Sequence, residues 1–114
     1  MEHFNGSLRL AGDIARVHVG IDLTEEHELR ISTENVEIGH WEIGALAVRA
    51  ADDGFHMLAD GEELILTTDD DPAFAIAMGI RNAPPVLRKQ ISDRLRYDPQ
   101  YHHVDDPIQS SGER

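Results

Sequence analysis

The chain has no cysteine among its 114 residues, which removes disulfides, thiolate zinc sites and cysteine nucleophiles together. It is also poor in positive charge: ten Lys and Arg stand against twenty-two Asp and Glu, a formal charge of −12. Such a chain repels phosphate backbones and anionic lipid surfaces over the Debye length, so nucleic acid is excluded as the expected partner and a membrane surface is disfavoured. Long apolar runs are missing as well. No stretch is long enough to span a bilayer, and the opening MEHFNGSLRL carries Glu2 and no seven consecutive apolar residues, unlike a secretory leader. A cytoplasmic location is therefore expected. There is no internal repeat and no long Gly/Ser run, and the length suits one domain with a modest core.

Motifs that carry chemistry are absent too. There is no Ser-His-Asp order, nucleophile elbow, phosphate-cradling glycine loop or zinc-helix motif. No catalytic residue, cofactor or metal is expected. What the chain does have is an uneven charge distribution. Residues 1–80 carry four bases and seventeen acids, residues 81–96 five bases and one acid, and residues 97–114 one base and four acids. The shift near Gly79 is the clearest internal boundary. Nine of the ten bases are arginine, with Lys89 alone, a bias that fits a GC-rich bacterial genome.

The organising stretch is DDGFHMLADGEELILTT, residues 52–68. Its Asp53-Gly54 and Asp60-Gly61 pairs, each flanked by apolar runs, predict tight hairpin turns and a three-stranded antiparallel meander. Upstream, Leu8 and Leu10 predict a short first strand, and Val17, Val19, Ile21 and Leu23 alternate with polar residues as a half-buried strand does. After a turn at 24–28, Leu29 and Ile31 return. Val36 and Ile38 then change parity with Trp41 and Ile43, which a one-residue bulge near Gly39 would reconcile. Trp41, the only tryptophan, is expected to anchor the core.

Asp70 or Asp71 followed by Pro72 predicts a helix that ends at Gly79. Asn82-Ala83-Pro84-Pro85 opens a second, basic helix over residues 81–97, with Leu87, Ile91 and Leu95 in a narrow stripe beside Arg88, Lys89, Arg94 and Arg96. Residues 98–114 read as a flexible acidic tail. The fold class expected is mainly β with C-terminal α: a bent antiparallel sheet or partly open barrel over residues 1–80 capped by one helix, plus a second helix.

Many short antiparallel strands, a late Asp-Gly hairpin and a capping helix over roughly residues 5–80 resemble the pleckstrin-homology-like fold. Members of that fold bind phosphoinositides, peptides or protein surfaces, and the lipid-binding ones place several Lys and Arg in and beside the first hairpin. Here that region offers Arg9 and Arg16 beside Asp13, so the resemblance implies protein or peptide binding. The phrase FHMLADGEELILTTDDDPAFA is also similar to small actinobacterial proteins, which implies a bacterial source and supplies no activity.

Candidate sites each have a plainer reading. Asp69, Asp70 and Asp71 concentrate carboxylates, but contiguous acids before a proline suit a helix N-terminus better than a hard-cation loop. His102 and His103 with Asp105 and Asp106 mix imidazole and carboxylate, yet adjacent histidines in an extended chain point to opposite sides. His18, His40 and His56 sit at outward positions of predicted strands and would form a pH-sensitive surface if those strands were neighbours. Glu62 and Glu63 beside Asp60 look like the surface of an ordinary hairpin. The second helix is the main interaction candidate, through Leu87, Arg88, Ile91, Arg94 and Leu95. It either lays its stripe in a partner's groove or folds back over its own acidic barrel, and opposite charges on one chain favour folding back.

The function expected is a non-enzymatic adaptor that binds a protein or peptide through a sheet edge, the groove beside the first helix, or the second helix. Charge suggests a basic protein partner, and a homodimer is left open. The alternatives are a small-ligand-binding β-barrel and an enzyme with a carboxylate-histidine site.

Overall fold

Alternating apolar residues between turn signals become strands along most of the first 68 residues in the computed structural model, which describes residues 2–80 and 82–102. The strands are β1 (Glu2–Leu10), β2 (Val17–Leu23), β3 (Glu28–Thr33), β4 (Val36–Glu42), β5 (Ala47–Ala51), β6 (Gly54–Ala59) and β7 (Glu62–Thr68), with a 3-10 turn at Ile43–Ala45 between β4 and β5. All are antiparallel in one sheet of order β4-β3-β2-β1-β7-β6-β5. The sheet curls into a half-barrel, and C-terminal helices follow. This mainly β architecture with C-terminal α is the one expected from the sequence, and it is compatible with a pleckstrin-homology-like arrangement.

The first strand is longer than the sequence predicted. It begins at Glu2, buries Phe4 and Leu8, and is shared by both halves of the sheet, pairing β2 from Glu2 to Leu8 and β7 from Gly6 to Leu10. Asn5, Gly6 and Ser7 hide this from a reading by alternation. Gly6 is needed there because a Cβ would run into the carbonyl oxygen of Thr67.

Two-residue turns join β3 to β4, β5 to β6 and β6 to β7. Asp60 and Gly61 both have left-handed φ, 53° and 82°, the paired signature of a type I′ hairpin, with Ala59 opposite Glu62. The first Asp-Gly pair behaves differently. Ala51 pairs with Gly54, so the loop residues are Asp52 and Asp53 and Gly54 already opens β6. The bulge expected near Gly39 is present: Ile31 faces Gly39 and Ser32 faces Glu37, leaving Ile38 as the extra residue of β4.

Trp41 packs against the core from its margin and does not form its centre. It is half-buried on edge strand β4, its Nε1 donates to Asp60 Oδ2 at 3.0 Å, and its ring lies where a side chain at Gly39 would be. The centre is built from phenylalanine. Helix α1 (Asp71–Met78) is capped by the Asp70 carboxylate, which accepts from the Ala73 backbone N–H, and ends on left-handed Gly79. The helix sends Phe74 into the half-barrel, edge-on to Phe4 with ring centroids 5.5 Å apart and 4.9 Å from Phe55. Ile21, Leu29, Ile31, Met57 and Leu66 close around them, fully buried.

Helix α2 (Pro85–Tyr97) packs on α1. Ile91 is buried, Leu87 and Leu95 are partly buried against the core, and Arg94 bridges to Asp70 at 3.0 Å. A single helical turn, α3 (Pro99–His102), follows. Most of the tail expected at 98–114 lies outside the described residues, as do the side chains of His102, His103, Asp105 and Asp106. Among the described residues no helix is long and apolar enough to cross a membrane.

Truncating the central plug should show how far the half-barrel depends on it. Phe74→Ala is expected to destabilise the chain by about 3–5 kcal/mol in urea unfolding, the range for removing a fully buried aromatic.

Candidate functional site

The sheet has two edges, and they are built differently. Strand β4 is bulged at Ile38 and carries Glu37 and Glu42, with Glu37 paired to His40 at 2.7 Å. Bulges and charges are how proteins stop an edge from pairing with another chain. Strand β5, AVRAA, is regular and pairs β6 residue for residue on one side; among the described residues nothing pairs with its other side.

Beside β5 runs an apolar groove of about 420 Å³. Its walls are Ile43 and Leu46 from the connection preceding β5, Val48 from β5, and Met78 and Ile80 from the end of α1, with Arg49 and Asn82 at the rim. The far wall is set by the helix C-cap. At Gly79 the left-handed turn lets Ile80 N–H bond back to the Ala75 carbonyl, folding Ile80 against the core.

On the outer face, register aligns Arg9 of β1, Ile65 of β7, His56 of β6 and Arg49 of β5 in one row across four strands. Ile65 points away from the core that holds Leu64 and Leu66, yet is only 4% exposed between its cross-strand partners Arg9 and His56. His56 lies between two carboxylates: Nε2 is 2.7 Å from Asp53 Oδ1 and Nδ1 is 2.7 Å from Glu63 Oε2. Carboxylates only accept, so satisfying both contacts requires both ring nitrogens to carry hydrogen, which is the imidazolium form.

The hydrogen bond to Asp53, then that to Glu63, raises the His56 pKa above its ordinary 6.5, against the opposing effects of partial burial and, less, of Arg49. Asp53 is lowered below 3.8, chiefly by His56 and further by Arg9. Arg9 reaches Asp53 at 3.2 Å, and Arg49 reaches Glu63 at 3.7 Å. Arg49 Nη2 also lies 3.4 Å from His56 Nδ1, where two donors face each other.

The other residues singled out from the sequence are scattered or engaged in the fold. His18 on β2 contacts the Gly6 carbonyl at 3.1 Å, and His40 lies on β4. His18, His40 and His56 stand on β2, β4 and β6, none of which are neighbours, so the histidine cluster considered above does not form. Leu87, Ile91 and Leu95 face α1 and the core, and Arg94 binds Asp70; Arg88 lies exposed in the first turn of α2. Asp69 accepts from the Asn5 backbone N–H, Asp70 caps α1, and Asp71 binds the Thr68 hydroxyl and backbone N–H. Among the described residues no group of three or more His, Cys, Asp or Glu side chains could hold a metal ion.

Sequence reasoning missed Arg9, Arg49 and Asp53. Placing the first turn at Asp53-Gly54 would set Arg49 opposite Leu58, whereas the observed register sets it opposite His56. Compared with protein-family models, curated proteins and solved structures, the chain matches none. Its reading rests on its own geometry.

The carboxylate clamp on His56 should give stability a defined pH dependence. A raised imidazole pKa contributes stability that is fully present below about 6.5 and lost as pH rises through the folded value; the lowered Asp53 contributes above about 3.8 and is lost as pH falls through its own folded value. Urea unfolding as a function of pH is expected to show a decline on the alkaline side of 6.5 that His56→Gln diminishes. Part should survive in that variant, because His3, raised chiefly by its hydrogen bond to Asp22, acts in the same direction. An undiminished decline in His56→Gln would assign the effect to other groups.

Proposed function

We propose that this chain is a non-catalytic recognition domain that binds an extended segment of another protein by adding it to β5 as a further strand. The observation that carries this reading is a regular edge strand lying beside an apolar groove. An incoming strand would gain backbone hydrogen bonds along Ala47–Ala51, each worth about 0.5–1.5 kcal/mol net. Its alternate side chains would fill the groove between Val48 and Ile80, so the backbone supplies affinity and the groove supplies selectivity. This is the sheet-edge mode expected of a pleckstrin-homology-like adaptor, and we propose a bacterial cytoplasm as its setting, which the cysteine-free composition suits.

The two other readings draw less support. A small-ligand barrel needs interior space, and the interior of this half-barrel is filled by Phe4, Phe55, Phe74 and their aliphatic neighbours. For an enzyme, the nearest arrangement is Asp53, His56 and Glu63. Both ring nitrogens of His56 are taken up by carboxylates, which leaves no lone pair for general-base work. The second helix is also a weaker candidate for the docking element, because its stripe is engaged with α1 and the core.

A random peptide library displayed and selected against the full chain is expected to yield binders. Their amide NMR perturbations should concentrate on residues 46–51 and 78–80. Recovery of no peptide, or perturbations centred on β4 or α2, would overturn the reading.

A further inference from the structure

The charges around β5 narrow the kind of segment that fits. Across the row from β1 to β5, three cations, Arg9, His56 and Arg49, are in contact with two carboxylates, Asp53 and Glu63. Asp53 is shared by Arg9 and His56, and Glu63 by His56 and Arg49. His56 holds the nearer place on Glu63, at 2.7 Å against 3.7 Å for Arg49. The row therefore keeps a surplus positive charge, and that charge sits on Arg49. Of the three cations Arg49 is the most exposed, with two-thirds of its side chain open to solvent on the strand with the unpaired edge.

We propose that the segment added to β5 carries one acidic side chain on the outer face of the sheet, directly across from Arg49, with apolar residues at the flanking positions that face the groove. This rests on the strand-addition reading above. The juxtaposition follows from pleat geometry: on β5, Arg49 points outward while Val48 and Ala50 pair with Met57 and Phe55 on the core side. A residue of the new strand opposite Arg49 therefore lies on the outer face, and its two neighbours on the groove face. An opposite-charge pair across strands is favourable, and a like-charge pair there is not.

The whole chain carries −12, which by itself favours a basic partner. Along the row that ends at Arg49 the sign is reversed. Bulk repulsion is screened over about 8 Å at physiological salt, whereas a cross-strand pair acts in contact. One acid in a segment otherwise neutral or basic satisfies both conditions, and a polyacidic segment does not. A second copy of the chain fits poorly. Two β5 strands paired antiparallel about a two-fold axis would put two Arg49 cations on the same face of one five-residue ladder.

The test uses the same displayed peptide library against the full chain and against Arg49→Glu, an exposed substitution whose fold is checked by circular dichroism. Peptides selected on the native chain are expected to share one Asp or Glu with apolar residues on both sides of it. Replacing that acid with Asn or Gln should weaken binding roughly two- to fivefold, the size of an exposed ion pair. Selection on Arg49→Glu should recover Lys or Arg at the same position. Peptides that bind at residues 46–51 without an acid preference, or that are unchanged by Arg49→Glu, would overturn the charge assignment and leave strand addition standing. No binders, or binders elsewhere, would overturn both. A concentration-dependent dimer by sedimentation that Arg49→Glu strengthens or abolishes would make the second copy the occupant and also overturn the inference.

Discussion

A seven-stranded antiparallel sheet that curls without closing leaves an apolar interior with one open side, and the insertion of Phe74 between Phe4 and Phe55 fills it. The geometry around that insertion follows from it. Thr68 and Asp71 bind each other at the end of β7, Asp70 caps the helix, and Gly79 turns the chain so that Ile80 folds back. Arg94 ties the second helix to the same Asp70, so α1 is held from its N-terminal cap and from its outer face. The groove beside β5 is a consequence, since its far wall is the last turn of the helix that carries the plug.

The same plugging decides what the two edges can do. Consecutive in the chain yet at opposite ends of the sheet, β4 and β5 are joined only by the short connection through Ile43–Ala45. Trp41 reaches from β4 to Asp60 in the β6–β7 turn and closes one end of the opening. Away from that contact the edges take opposite roles. The bulge, the acids and the His40–Glu37 pair guard β4, while β5 keeps a regular, mostly alanine edge against an apolar wall.

Much of the architecture was legible because local signals agreed with the fold. The alternation of Val19, Ile21 and Leu23, the Asp60-Gly61 turn, the parity change at Gly39 and the Asp70-Pro72 opening of α1 each carry their own physics. What escaped was non-local. The start of β1 is masked by Asn5, Gly6 and Ser7, and Gly6 makes sense only once β7 lies against it. Trp41 seemed central because large aromatics bury large areas, but three phenylalanines from distant parts of the chain took that place. The site was the least legible part. Its charges come from β1, β5, β6, β7 and a turn, and they align only in a register in which each β5 residue faces a partner two residues away from the one an Asp53-Gly54 turn suggests.

Strand addition at β5 requires an open edge held rigidly beside the helix. Amide hydrogen exchange of the free full chain, resolved residue by residue, tests this directly. Along Ala47–Ala51, amides bonded to β6 should exchange as slowly as those of β6 itself, and the alternate, outward amides should exchange orders of magnitude faster. Uniform protection along β5 would mean that something already covers the edge, and uniform loss of protection would mean that the strand is not held there; either result would contradict the account.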